Sequence, residues 1–95
     1  MSKMFLLQNG IFAGTNDHID TSDEFDLGIF TTFQKPKEIV DELTKDWKNK
    51  QVYEEENSYC VLIETKDECC NYEEQEWYKI IQFEVDKYYP NGLND

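Results

Sequence analysis

The segment that decides the fold is WYKIIQFEVDKYY, residues 77–89. In it, Trp77, Ile81 and Phe83 alternate with Tyr78 and further polar residues. Alternation with a period of two is typical of a β-strand that presents different faces to the core and to solvent. Two isoleucines stand side by side within this run, and we interpret the break as a β-bulge.

A second alternating segment, SYCVLIET, occupies residues 58–65. Tyr59, Val61 and Ile63 would project to one side of such a strand. The intervening residues 66–76, KDECCNYEEQE, are polar and predict a turn region. The C-terminal part of the chain therefore predicts two strands joined by a polar connection.

The clearest helix is predicted over residues 36–48. It opens on Pro36, which suits the first helical turn because its missing N–H has no partner to lose there. The apolar residues that follow at helical spacing are Ile39, Val40, Leu43 and Trp47. This stripe predicts a helix with one side against a core and the other side in solvent.

The N-terminal third is less regular. Residues 4–7 predict a strand, and the Asn-Gly pair at 9–10 leaves open a hairpin within residues 4–14. Residues 15–26, TNDHIDTSDEFD, predict a loop because Asn, Asp, Ser and Thr side chains compete with regular backbone pairing. LGIFTTF, residues 27–33, is rich in β-branched and aromatic residues and predicts a strand.

These elements predict one α+β domain over residues 1–95. The predicted architecture is two-layered: an antiparallel sheet of about four strands with one covering helix, in the order ββαββ. Six Phe, six Tyr and two Trp are too many for a disordered acidic tail. We therefore expect a folded core beneath a strongly charged surface.

The charge of the chain excludes several classes of partner. The formal net charge is -12, and none of the nine basic residues is an arginine. A phosphate backbone or an anionic membrane surface would repel such a protein, so we expect neither direct nucleic-acid binding nor membrane binding. The sequence shows no signal-peptide pattern and no apolar run of membrane-spanning length, which predicts a location in the host cell cytosol.

Residues with catalytic or metal-binding chemistry are few. His18, beside Asp17 and Asp20, is the only histidine and is expected to be solvated. Cys60, Cys69 and Cys70 are expected to be free thiols, and the sequence leaves open whether they have a redox or metal role. We predict no cofactor, no metal site and no enzymatic activity.

The acidic residues themselves are the candidate partner-binding surface. Residues 54–76 contain nine acids against one lysine. The carboxylates expected to bind a partner are Glu54, Glu55, Glu56, Asp67, Glu68, Glu73, Glu74 and Glu76, with Asp20, Asp23, Glu24 and Asp26 as a second patch. The aromatic anchors expected beside them are Tyr53, Tyr59 and Tyr72. If the connected acidic segments share one edge of the sheet, they form a continuous negative face.

Three segments, MFLLQNG, GIFTTFQKPKEIVDEL and WYKIIQFEVDK, resemble a pattern found in small α+β proteins of phages and prophages. Gly28, Phe30, Thr31 and Asp86 occupy its motif positions, and the insertion at 33–36 departs from it. The resemblance covers about half of the chain and implies an accessory protein of a mobile element. By type, the chain is similar to acidic anti-defence inhibitors of the anti-CRISPR or DNA-mimic kind.

The sequence thus predicts a phage-type inhibitor that occludes the basic nucleic-acid-binding surface of a host defence protein, such as a CRISPR effector or a restriction nuclease. One alternative is a small-ligand-binding protein, for example a sponge for a signalling nucleotide. Its ligand would bind the lysine group formed by Lys35, Lys37, Lys45, Lys48 and Lys50. Another is an accessory protein that oligomerises through a sheet edge, and the oligomeric state, homodimer included, stays open.

Overall fold

A computed structural model describes residues 3–15, 17–56, 58–67 and 71–92. The elements are β1 (Lys3–Gly14), β2 (Ile19–Phe30), α1 (Gln34–Thr44), β3 (Gln51–Glu55), β4 (Ser58–Asp67) and β5 (Tyr72–Glu84). The strands form one antiparallel sheet in the order β2-β1-β5-β4-β3. The two longest pairings are those of β1 with β2 and with β5, so β1 organises one half of the sheet.

The predicted four-stranded ββαββ layout is wrong. The described residues form five strands in the order ββαβββ, and the helix is short. Sequence reasoning missed β3, and it assigned most of β2 to a loop over residues 15–26. The acidic β2 is a strand because β1 offers it a partner along nearly its whole length, from Phe5 to Gly14. Tertiary pairing here overrides local propensity.

The Asn-Gly pair at 9–10 lies in the middle of β1 and makes no turn. Gly10 is needed there because the Trp77 indole of β5 crosses directly above it. A Cβ placed on Gly10 would lie 2.0 Å from Trp77 Cζ2, well inside contact distance. The glycine therefore permits close packing within the sheet instead of a hairpin.

The register breaks of the sheet lie in β2 and not in β5. β5 pairs with β1 without interruption from Glu84 to Glu73, so the bulge predicted between the adjacent isoleucines at 80–81 does not form. In β2, Leu27 and Asp20 have no partner residue across from them. Each is an extra residue that bends the outer strand relative to β1.

α1 begins two residues before Pro36 and ends at Thr44, four residues earlier than predicted. Its Val40 and Thr44 are fully buried against the sheet. The Thr44 hydroxyl donates to the Val40 carbonyl at 2.8 Å, which satisfies a polar group in this contact. Trp47 lies past the helix end, and its ring centroid is 5.6 Å from that of Tyr78.

The core occupies only one end of the sheet. Its buried members are Phe5, Leu7, Val40, Tyr59, Val61 and Ile80. We call the side of the sheet that carries Leu7, Val61 and Ile80 the helix face, because α1 packs on it, and the other side the opposite face. Ile11, Ala13 and Ile63 continue the helix face beyond this buried cluster towards the far end of the sheet.

Candidate protein-binding surface

Two hairpin tips meet at the end of the sheet farthest from α1. Gly14, the last residue of β1, pairs with Ile19 of β2 and with Glu73 of β5. The described strand ends, where β1 and β4 finish and β2 and β5 begin, therefore lie side by side. We call this region, residues 17–24, 64–67 and 71–76, the acidic end. It contains nine carboxylates and one lysine.

Only some of these carboxylates are neutralised locally. Lys66 Nζ lies 3.1 Å from Glu64 Oε1 and 3.6 Å from Glu73 Oε1, and the hydrogen bond to Glu64 raises the pKa of this lysine. Lys79 Nζ reaches Glu24 Oε1 at 3.6 Å. Within the described ranges, no ion pair forms at Asp23 or Glu74. The acidic end therefore keeps a large excess of negative charge.

The carboxylates lie on both faces of the sheet. Asp23 and Glu76 are paired with Ile11 from its two sides, so all three share the helix face. Glu24 and Glu73 occupy the alternate positions and lie on the opposite face. The acids thus surround a thin end of the sheet, and the single continuous face that the sequence suggested does not form.

A shallow concavity of about 330 Å³ opens on the helix face, partly within the acidic end and partly beside it. Its lining includes Ile11, Ala13, Ile63, Thr65, Glu74 and Glu76. The amide of Asn9 donates to Glu76 Oε2 at 3.4 Å and to the Trp77 carbonyl at 2.9 Å, which restrains this carboxylate. Apolar side chains beside carboxylates suit a partner group that is both aliphatic and cationic.

The three predicted aromatic anchors lie in different places. Tyr72 is at the acidic end, where burial and then the charge of Asp20 raise its pKa. Tyr53 lies on the edge strand β3, 55% exposed, with its hydroxyl on the side-chain oxygen of Gln51. Tyr59 lies in the core, 6% exposed, and donates to Asp41 Oδ1 at 2.6 Å. Of these anchors, Tyr72 alone accompanies the acidic end.

The triplet Glu54, Glu55 and Glu56 is remote from the acidic end. Glu54 pairs with Tyr59, six positions along β4 from Thr65, which corresponds to roughly 20 Å. Its carboxylate also has a structural partner, because Lys37 Nζ of α1 lies 2.6 Å away and has its pKa raised by that bond. This triplet therefore does not extend the acidic end.

The remaining predicted acids divide between these regions. Asp20 lies beside His18 Nε2 at 3.0 Å, on an exposed part of the β1–β2 tip. Asp26 accepts a bond of 2.7 Å from Gln8 Nε2 on the opposite face. Asp67 ends β4 opposite Tyr72. Glu68, like Cys69 and Cys70, lies outside the described residues.

The residues that sequence reasoning missed are the apolar members of the concavity, Ile11, Ala13 and Ile63. A usable signal existed, since Ile11 and Ala13 continue the alternation of Leu7 once Asn-Gly is taken as strand. Ile63 was already placed on the same side as Val61. What the sequence could not provide was the register that brings β1 and β4 to the two sides of β5.

The site offers little for metal or nucleophile chemistry. Across the part of the chain that the structure describes, no three side chains of the His, Cys, Asp or Glu types are arranged to hold a metal ion. Cys60 is a free thiol whose pKa is raised by burial, with Lys79 opposing that effect.

The lysine group proposed for a nucleotide is largely engaged elsewhere. Lys37 binds Glu54, Lys45 Nζ lies 2.7 Å from Glu42, and Lys50 Nζ donates to the Thr44 carbonyl at 3.1 Å. None of these lysines lines the concavity at the acidic end. The lysine group and this concavity therefore occupy different parts of the described structure.

Comparison with protein-family models, with curated proteins and with solved structures returns no match to this chain. Among the described residues, the single helix falls well short of the length and hydrophobicity that crossing a bilayer requires.

Proposed function

We propose that this protein is a non-enzymatic inhibitor whose acidic end occupies the basic nucleic-acid-binding surface of another protein. The observation that supports this most is the meeting of two hairpin tips, which concentrates nine carboxylates against one lysine. Self-repulsion at such a place destabilises the fold, so its presence favours a function that uses the charge.

The placement of the charges suits a surface that normally binds nucleic acid. Acids on one face of a strand, such as Glu74 and Glu76, are two residues or about 6.8 Å apart, about twice the axial spacing of about 3.4 Å between charges along one strand of DNA. Neighbouring acids such as Glu73 and Glu74 project to opposite faces, so a partner cleft would meet negative charge on both of its walls. A basic channel or groove therefore fits better than a flat basic patch.

The concavity would supply the apolar component of binding. Charge alone steers association and is weakened by salt, whereas desolvated contacts retain the complex. A lysine or arginine of the partner can lay its aliphatic stem on Ile11 and Ile63 and direct its charged group to Glu74 or Glu76. The mobile-element resemblance narrows the proposed target to a host defence nuclease.

Capture from a bacterial lysate tests this proposal. The immobilised protein should retain a nucleic-acid-binding protein at low salt, and both added salt and a DNA duplex should release it. The variant Asp23→Lys/Glu74→Lys should lower capture at least tenfold. The matched control Glu55→Lys/Glu56→Lys, with the same change in charge at the other end, should leave capture nearly unchanged.

Two results would contradict the proposed function. One is retention of partners that DNA does not release. The other is equal loss of capture in both charge-reversal variants, which would assign binding to net charge and not to the acidic end. Unchanged circular dichroism of each variant shows that the fold is retained.

A further inference from the structure

β2 is the last strand of the sheet, and no described strand pairs with its outer edge. Its twelve residues are mostly exposed. In an antiparallel strand every second residue directs its N–H and C=O away from its neighbour, so this edge presents a row of backbone groups that no described strand pairs with. An edge of this length is a template for another strand.

The two register breaks leave one regular stretch in the strand. Leu27 and Asp20 have no partner residue in β1, whereas residues 21–26 pair without interruption with residues 8–13. This stretch of six residues matches the usual length of a strand. An added strand could therefore form a complete ladder here without meeting a bulge.

The side chains of the stretch define the chemistry of a suitable partner. Asp23 and Phe25 lie on the helix face, and Glu24 and Asp26 lie on the opposite face, where Lys79 pairs with Glu24 and Gln8 donates to Asp26. β2 contains no lysine or arginine. Phe25 is 47% exposed and offers an apolar contact beside the acids. A basic strand with one aromatic or β-branched residue complements both faces.

Other occupants fit less well. A second copy of this chain would set carboxylates of β2 against carboxylates, and like charges directly opposite each other are destabilising. The other edge strand, β3, has only five residues, against twelve in β2. Charge complementarity and length together favour β2 and a basic segment.

We propose that the stretch 21–26 of β2 binds an extended, lysine- or arginine-rich segment of the partner as a sixth strand of the sheet. The basic character of that segment rests on the proposed function. The backbone ladder supplies affinity, and the acids on both faces select a basic sequence. The acids also protect the free edge from self-association.

Two synthetic peptides of equal charge test the proposal. The first alternates lysine with threonine and valine over ten residues, and the second has proline at every threonine and valine, so that it cannot form a ladder. Hydrogen exchange and amide chemical shifts of the full chain report where each peptide binds. The first should slow the exchange of β2 amides and bind at least tenfold more tightly than the second.

The variant Asp23→Lys should weaken binding of the first peptide at least fivefold, while Glu55→Lys on β3 should have little effect. The inference is overturned if both peptides bind equally, if protection appears on β3, or if no β2 amide is protected. These peptides are separate from the lysate partner. If the peptide tests fail while DNA still releases a captured partner, only the added strand is rejected. If the added strand forms but no DNA-releasable partner is captured, the proposed target is rejected.

Discussion

Neutralising two carboxylates of the acidic end, by Asp23→Asn with Glu74→Gln, should make the protein more stable while weakening its binding. Asp23 lies two strands from Glu76 across Ile11, and Glu74 precedes Glu76 by two positions on the same face. Strands are about 4.8 Å apart and residues rise about 3.4 Å, so the three pairwise separations are roughly 7, 10 and 12 Å.

Those separations give the expected magnitude. With the dielectric constant of water, Coulomb repulsion summed over the three pairs is about 1 kcal/mol at 10 mM salt and about 0.5 kcal/mol at 0.15 M salt. A lower effective dielectric constant near the protein surface would increase both values. The double variant should therefore raise the free energy of unfolding by about 1 kcal/mol at low salt, and the gain should shrink as salt is added.

Equilibrium unfolding in urea measures this gain, because urea is uncharged and salt can be varied independently. The control is Glu42→Gln, which removes the 2.7 Å contact of Glu42 with Lys45 and should lower stability by a few tenths of a kcal/mol, about the value of a helix ion pair. A double variant that is less stable than the parent, or whose gain does not depend on salt, would refute the electrostatic account of the acidic end.

Three further predictions concern the fold. Burial and the bond to Asp41 raise the pKa of Tyr59, so the folded state keeps this proton longer than the unfolded chain, and stability falls as pH rises above about 10. Tyr59→Phe should flatten that fall by up to about 1.4 kcal/mol per pH unit in urea unfolding between pH 9 and 11. Gly10→Ala should cost about 1–3 kcal/mol in the same assay at pH 7, because its methyl group would overlap the Trp77 ring; an unchanged midpoint would contradict the close packing. Val61→Ala should lower stability by about 2–4 kcal/mol, since Val61 is fully buried in the core, whereas a loss below 1 kcal/mol would place it outside.

Segments with one buried side were predictable from the sequence. SYCVLIET alternates because Tyr59 and Val61 enter the core, and the stripe of α1 is visible because Val40 packs on the sheet. The acidic part of β2, residues 19–26, was not predictable because its side chains are mostly exposed. A strand without a buried side shows no hydrophobic alternation. Its acidic residues instead protect the exposed sheet edge from self-association.

The candidate site was predictable in composition but not in arrangement. Composition located negative charge in two separate acidic patches, before and after α1. The two patches come together because β1 lies between β2 and β5. Ile11 of β1 pairs with Asp23 on one side and with Glu76 on the other. Such long-range pairing leaves no local signal. The pairing of β3 with β4 places the 54–56 triplet at the other end of β4, away from the acidic end.

The central claim, that the acidic end is the binding surface, is tested most directly by the hydrogen-exchange footprint of the protein in complex with the partner that DNA releases. The account predicts slower exchange in residues 19–24 and 72–76, with residues 51–56 and α1 unchanged. Protection of residues 51–56 or α1, with the acidic end exchanging as in the free protein, would contradict it.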